Sequence, residues 1–349
     1  MSARRCPPSA GARSLPVDMA SRDDPSAAEL VLLDHEAAER EAEREVEGVP
    51  APDPRARRRP VPLLLLEAMR PKQWIKNSFV LAGLAFAGKA ADLDAVAAAL
   101  AMTAAFCLAS GATYLVNDAR DAEADRLNPR TASRPIARGD LSPTLAMITA
   151  AAAALVALAA AALINWESLA VLGGYVALQL AYSHGLKHVL FVDVMAIAAG
   201  FVLRAAAGGL AIEVPISSWL LLCTGLLAIF LGFTKRRAEA VALGGTAQPA
   251  REVLDHYSVG LLDELIAVVT PATLVVYAIY AATGAHTKWM LLTVPFVMYG
   301  IFRVLYLIHH HSAMTEEPAV VVYHDRPLLV CVALWGVCAA TIAALASAM

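Results

Sequence analysis

A chain of 349 residues that is 58% hydrophobic and only 17% charged, with a mean hydropathy of +0.58, holds too much apolar surface for a water-soluble core. Soluble domains carry roughly 45–50% apolar and about 25% charged residues, so the composition is that of a membrane protein. The formal charge of -3, from 28 Lys and Arg against 31 Asp and Glu, argues against the basic face of a nucleic-acid binder, and no nucleic-acid partner is expected.

Residues 1–60 differ from all that follows. They combine twelve acids with ten arginines, many Pro and Ala, and no aromatic residue. Such a segment cannot bury enough apolar surface to offset its ordering entropy, and it reads as a disordered cytoplasmic tail with a short charged helix around Glu36 to Glu47. It lacks the continuous apolar stretch of a signal peptide. Residues 61–349 form the membrane-embedded domain, opened by a Leu-rich segment suited to lie flat at the interface.

From there the chain runs through apolar segments near the ~20 residues that cross a bilayer core. The predicted spans are 74–88, 95–116, 141–164, 168–186, 189–212, 216–234, 265–284, 289–308 and 328–348, an all-α bundle of about nine transmembrane helices. Lys76 and Asn77 interrupt the first, while Pro271 and Pro295 fall inside the seventh and eighth, where membrane helices accept them as kinks. One set of alternate loops holds fifteen Lys and Arg; the other holds only Lys89 and Lys288. The positive-inside rule then places the loops 117–140, 235–264 and 309–327 in the cytoplasm, so a multi-pass protein of the cell membrane with a cytoplasm-facing site is expected. The five cysteines show no CxxC or Cys/His spacing; Cys107, Cys223, Cys331 and Cys338 read as small buried hydrophobes, and Cys6 lies in the tail.

The first of these loops opens with Asn117-Asp118-Ala119-Arg120-Asp121-Ala122-Glu123-Ala124-Asp125-Arg126. If the second helix continues through it, Asp118, Asp121 and Asp125 share one face at i, i+3 and i+7. Like charges so placed repel unless a cation sits among them, and a few carboxylates completed by substrate phosphates suit magnesium. The bland alternative is a solvated acidic helix end balanced by Arg120 and Arg126; the neighbouring Arg130, Arg134 and Arg138 favour the site.

After the fourth span come Tyr182-Ser183-His184-Gly185-Leu186-Lys187 and Asp193, and within the fifth Asp193 and Arg204 lie almost three turns apart on one face. Ionised residues inside a span line a cavity or pair with each other; for Arg204 a charge tying helices together competes evenly with a substrate contact. Lys235-Arg236-Arg237 with Glu239 ends the sixth span. As a topological anchor it needs no further role, but with Lys72, Lys76, Arg134 and Lys187 it would ring an acidic metal site with cations, which suits a phosphorylated substrate. His309, His310 and His311 read as interface residues.

These blocks carry a family resemblance. Asn117-Asp118-x-x-Asp121-x-x-x-Asp125 on an all-helical membrane background resembles the first aspartate motif of the UbiA superfamily of prenyltransferases. Six further blocks, Arg70-Pro71-Lys72-Gln73-Trp74-Ile75-Lys76-Asn77, Arg134-Pro135-Ile136-Ala137-x-Gly139, Tyr182-Ser183-x-x-Leu186-Lys187, Gly200-Phe201-Val202-Leu203-Arg204, Lys235-Arg236-Arg237-x-Glu239 and Asp325-Arg326-Pro327-Leu328, resemble its polyprenyl-phosphate phosphoribosyltransferase branch. The likeness runs from about Arg70 to the end. Quinone-type members carry a second aspartate motif after the sixth helix, where this chain has Lys235-Arg236-Arg237-Ala238-Glu239.

The resemblance implies transfer of phosphoribosyl from phosphoribosyl diphosphate to a polyprenyl phosphate, on the route to lipid-linked arabinose. It implies Mg2+ on Asp118, Asp121, Asp125 and Asn117, with Asp118, Asp121, Asp125 and Lys187 catalytic. Lys72, Lys76, Asn117, Arg126, Arg134, Tyr182, Asp193, Arg204, Lys235, Arg236 and Arg237 would bind substrate. The lipid would enter a cavity opening sideways, with Gly173, Gly174, Gly200, Gly208 and Gly209 letting helices close around it; association with copies of itself is compatible with the sequence. An aromatic prenyltransferase using a polyprenyl diphosphate is the nearest alternative, and a transporter built on Asp193 and Arg204 is one from another class.

Overall fold

A computed structural model describes residues 59–89, 91–128, 131–243, 254, 256–284, 287–310 and 325–348. The predicted tail up to residue 58, Arg130, Arg251, His311 and the remainder of the 311–324 loop lie outside the described residues. Among those residues the chain is helical throughout, with no strand.

Helix α1 (Val61–Ala68) has Pro62 in its first turn, where no N–H is needed. It buries Leu64 and Ala68 and turns Val61, Leu63 and Leu66 outward, the division expected of an entry helix at an interface. Pro71–Leu81 then winds as a 3-10 helix and passes into the five-residue α2 (Ala82–Phe86). A 3-10 run of 11 residues is long for its kind, and tertiary contacts hold it. Asn77, only 1% exposed, donates to Ser110 Oγ and accepts from Arg204. Val80 lies so close to α7 that a Cβ at Gly208 would overlap its carbonyl oxygen.

The long helices follow in order: α3 (Leu93–Arg120), the short α4 (Ala122–Leu127), α5 (Pro143–Ile164), α6 (Trp166–His184), α7 (Val192–Ala211), α8 (Ser218–Leu243), α9 (Val259–Ile279), α10 (Val294–His310) and α11 (Arg326–Ala348). Their starts are capped as the sequence suggests. Asp92 accepts from Asp94 and Ala95 N–H, Asn165 from Ser168 N–H at 2.7 Å, and Ser258 from Leu261 N–H. Asp325 accepts from Leu328 N–H and pairs with Arg303 at 2.8 Å, tying α11 to α10. Pro271 sits within α9, which ends in a π turn at Tyr280–Gly284.

Two of the larger apolar clusters run through the bundle. One surrounds Phe106 of α3 and Tyr175 of α6, with ring centroids 5.0 Å apart, together with Val80 and Ala207. The other gathers Phe230 and Phe233 of α8, Leu262 and Ile266 of α9 and Ile301 of α10. Between them α7 buries Gly200, Ala205, Ala207, Gly208 and Gly209, small residues that let backbones approach where dispersion rather than water drives association. Gly208 and Gly209 are tightly packed, whereas Gly173 and Gly174 have open space beside them. A cavity of about 240 Å³, bordered by Gly83, Ala205, Gly209, Ile216 and Tyr280, lies toward the end of α7 remote from Asp193.

Among the described residues seven helices are long and apolar enough to cross a membrane, so the predicted count of about nine is approximate. The first predicted span, 74–88, is instead the 3-10 segment and α2. The fourth is α6, whose Glu167, Gln179 and His184 dilute its apolar content. The cysteines Cys107, Cys223, Cys331 and Cys338 are free thiols.

Candidate active site

Helix α3 does not continue through the aspartate loop. It stops at Arg120, and Asp121 takes a junction conformation (φ -88, ψ 6) before α4 begins. The three carboxylates therefore do not share one continuous helical face, and they do not stand unpaired. Asp118, 2% exposed in the last turn of α3, accepts at Oδ1 from Arg70 Nη2 at 2.5 Å and from Arg134 Nη1 at 3.3 Å. Asp125 of α4 accepts from the same Arg134 Nη1 at 2.5 Å. Asp121 turns away to Lys187 Nζ, at 2.9 and 3.1 Å from its two oxygens. One guanidinium thus bridges the outer acids, while the 3-10 turn Leu186–His188 after α6 supplies the cation for the middle one.

The surrounding loop is held by its own arginines. Arg126 donates to the Ala137 carbonyl at 2.9 Å, and Arg138 reaches Ser133 O, Asp140 and Glu67 of α1. Arg126 is therefore a loop brace in this arrangement. Arg120 meets His184 Nε2, whose Nδ1 faces Leu180 O at 2.7 Å; that partner fixes the proton on Nδ1 and leaves Nε2 to accept. Asn117 is half-buried and its carbonyl accepts the Asp121 N–H; Lys72 is exposed, and Lys76 and Tyr182 are half-buried.

A second network is buried beside the first. Asp193, fully buried in the first turn of α7, accepts from Arg236 Nε at 2.7 Å and from the Tyr257 hydroxyl at 2.9 Å. Arg236, 1% exposed, spends its other face on Glu239 at 2.6 Å, which also pairs with Lys235. Arg237 binds Asp263 at 2.5 Å and the Ile308 carbonyl. Hence Asp193, Arg236 and Arg237 join α7, α8, α9 and α10 at one end, and Lys235 is the member of that basic triplet with the greatest exposure. Burial, then the hydrogen bond to Asp193, pushes the Tyr257 phenol above its ordinary range, so it remains the donor.

Arg204 does not pair with Asp193. It donates to Asn77 Oδ1, Gly200 O and Tyr175 OH at 2.7–3.0 Å, and its guanidinium lies over the Tyr175 ring. It fastens the 3-10 segment bearing Lys72 and Lys76 to α6 and α7. Sequence reasoning missed Arg70, Tyr257, Tyr175 and Asn77 as members of these networks. Arg70 carried a signal only in its place beside Pro71 in a quoted block, and Tyr257 carried none.

Magnesium would find hard oxygen donors in Asp118, Asp121, Asp125 and Asn117, and that donor chemistry fits the ion. Among the described residues, however, no three His, Cys, Asp or Glu side chains are gathered closely enough to hold a metal as they stand. Oδ1 of Asp118, Oδ2 of Asp125 and both oxygens of Asp121 are held by arginine and lysine, which a metal taking those oxygens would have to displace.

A multi-pass helical bundle with an aspartate-rich loop and converging cations at one end defines a membrane-embedded transferase, and the chain belongs to the UbiA prenyltransferase family, whose model it matches over residues 77–324. It is similar to the decaprenyl-phosphate phosphoribosyltransferase of Mycolicibacterium smegmatis, 33% identical over 287 residues, covering 78% of this chain and 89% of that protein. The enzyme of the same name from Corynebacterium glutamicum is 34% identical over 285 residues, covering 78% and 85%. The solved structure of a UbiA homologue from Archaeoglobus fulgidus bound to DMAPP and Mg2+ superposes with a TM-score of 0.61, covering 80% of this chain and 98% of that one at 17% identity, which shows the common fold.

Proposed function

We propose that this chain transfers the 5-phosphoribosyl group of phosphoribosyl diphosphate to a polyprenyl phosphate of the decaprenyl type, releasing diphosphate, at the cytoplasmic face of the cell membrane. The observation that carries this reading is the likeness, at 33–34% identity over 78% of the chain, to two decaprenyl-phosphate phosphoribosyltransferases. The basic Lys235-Arg236-Arg237 block, where quinone-type enzymes have a second aspartate motif, supports it against the aromatic prenyltransferase alternative. The burial of Asp193 and Arg204 in separate, satisfied networks speaks against a translocation path built on them.

In this reading an oxygen of the lipid phosphate attacks C1 of the ribosyl group as the C1–O bond to diphosphate breaks, the electron pair leaving with the diphosphate. The ribosyl centre gains oxocarbenium character. The attacking phosphate is already anionic, so no general base is needed, and the catalytic load falls on positioning and charge. Asp118, Asp121, Asp125 and Asn117 would hold Mg2+, which when bound neutralises charge on the departing diphosphate. Arg134, Lys187, Lys72 and Lys76 would bind phosphate oxygens. Arg236 and Arg237 act through Asp193, Glu239 and Asp263, fixing the end of α8 that carries Lys235 against α7 and α9. Residues 61–349 would house the whole reaction.

The reading is tested by supplying the purified full chain with each substrate pair in turn. Diphosphate should be released with phosphoribosyl diphosphate and a polyprenyl phosphate together, and not with either alone. Release instead with a polyprenyl diphosphate and 4-hydroxybenzoate would favour the aromatic alternative. Because Lys187 meets Asp121 beside the departing diphosphate, Lys187→Ala should lower kcat by roughly 10- to 100-fold, a charge-assisted contact being worth about 1.5–3 kcal/mol. An unchanged kcat would remove Lys187 from the reacting centre.

A further inference from the structure

We propose that Arg70 and Arg134 are exchange partners, holding the aspartates in charge balance and passing to the substrate diphosphate as a divalent metal takes the carboxylates, so that metal and diphosphate bind as one coupled unit. This deepens the functional reading above and rests on it for the identity of the diphosphate.

The charges are matched one for one. Asp118, Asp121 and Asp125 face Arg70, Arg134 and Lys187 through contacts of 2.5–3.3 Å. A divalent cation that takes Oδ1 of Asp118 and Oδ2 of Asp125 displaces both guanidiniums from them. Those cations would then stand beside a doubly positive ion with no acceptor between them, in a site where Asp118 is 2% exposed. Uncompensated charge of that kind is costly where water is scarce. A diphosphate removes the conflict, because its oxygens accept from planar guanidinium forks while coordinating the metal from the other side.

The geometry equips Arg70 for two positions. It sits at the turn between α1 and the 3-10 segment with φ +54, a left-handed backbone conformation that few non-glycine residues adopt. Its guanidinium carbon lies 4.8 Å from the centroid of the Tyr114 ring, so the aromatic face steadies the cation independently of Asp118. The Arg70 and Arg134 side chains retain 29% and 26% exposure, against 2% for Asp118, so they reach the surface while the acid is buried. Arg134 contacts both Asp118 and Asp125, so its departure releases Asp125 and leaves Asp118 with Arg70 alone.

Linkage makes the coupling reciprocal: diphosphate must tighten the metal by the factor by which the metal tightens diphosphate. The experiment uses Mn2+ as the metal probe and inorganic diphosphate as the anion, on the full chain purified in detergent. Neither lipid nor phosphoribosyl donor is present, so the result stands apart from which group the enzyme transfers. Diphosphate should tighten Mn2+ binding by about tenfold or more in the unmodified protein. In Arg70→Gln and in Arg134→Gln, loss of a competing cation should tighten Mn2+ alone by about fivefold and shrink the effect of diphosphate. Arg70→Lys, which keeps the charge, should behave as the unmodified protein does. If these arginines only brace the loop, both glutamine variants will loosen Asp118, bind Mn2+ more weakly and keep the full diphosphate effect, and the proposal fails. Thermal unfolding of each variant identifies those that fold, and either glutamine variant alone decides the outcome because each arginine pairs separately with Asp118.

Discussion

Asp121→Ala should reduce turnover by about 10²–10³-fold or more while leaving the membrane domain as stable as before. The side chain of Asp121 is 31% exposed and, among the described residues, its ion pair is with Lys187, which keeps 15% exposure, so its removal leaves no fully buried charge. A pair that stays in reach of water contributes about 0–1 kcal/mol to stability. Asp118→Ala should be as inactive but also less stable, because Arg70 and Arg134 would converge on a buried position with no carboxylate. The two variants separate chemistry from folding: unfolding temperatures in detergent should fall for Asp118→Ala and hold for Asp121→Ala, with activity lost in both. EDTA should abolish the activity of the unmodified enzyme and excess Mg2+ should restore it. Normal turnover by Asp121→Ala would remove the aspartate loop from the reaction.

The largest stability effect is expected at Asp193. Its carboxylate is fully buried between Arg236 and Tyr257, and Arg236 is itself 1% exposed. Removing one partner of a buried ion pair typically costs about 3–5 kcal/mol, since the other charge remains without compensation. Asp193→Asn should therefore unfold at a markedly lower temperature. Tyr257→Phe, which deletes one hydroxyl and leaves the ion pair, should cost less, about 1.5–3 kcal/mol for a hydrogen bond to a charged group. The double variant Asp193→Asn with Arg236→Gln should recover part of the loss, because the uncompensated cation goes with its partner. A double variant no more stable than Asp193→Asn would show that packing, rather than charge, holds these helix ends together.

These expectations differ from what the residues alone suggest, and the difference has a physical origin. The spans were legible because every lipid-facing or helix-packing position must be apolar, so α3, α5, α7, α8, α9, α10 and α11 appear as runs in the sequence. The 3-10 segment Pro71–Leu81 was not, because Asn77 is bound by Arg204, 127 residues away, and propensity carries no record of such a contact. The aspartate motif pointed to the loop that Arg134 and Lys187 reach, but its periodicity assumed a continuous helix that breaks at Asp121. The cationic ring was legible as composition and not as placement. Lys187 and Arg134 do reach the aspartates, whereas Arg236 and Arg237 turn inward to Asp193, Glu239 and Asp263. Asp193 and Asp263 lie 43 and 26 residues from their partners along the chain, beyond any local pattern. The same limit hid Tyr257, whose partner Asp193 lies on another helix.

The central claim, that this membrane transferase joins a phosphoribosyl group to a lipid phosphate, is tested most directly by mass spectrometry of the lipid. The purified full chain is incubated with Mg2+, phosphoribosyl diphosphate and decaprenyl phosphate, and the lipid fraction is extracted and analysed. The expected result is a lipid that has gained one phosphoribosyl group, formed in equal amount with diphosphate and absent when Asp121→Ala replaces the unmodified enzyme. A decaprenyl phosphate recovered unchanged, while the same preparation attaches a prenyl chain from polyprenyl diphosphate to 4-hydroxybenzoate, would contradict the account.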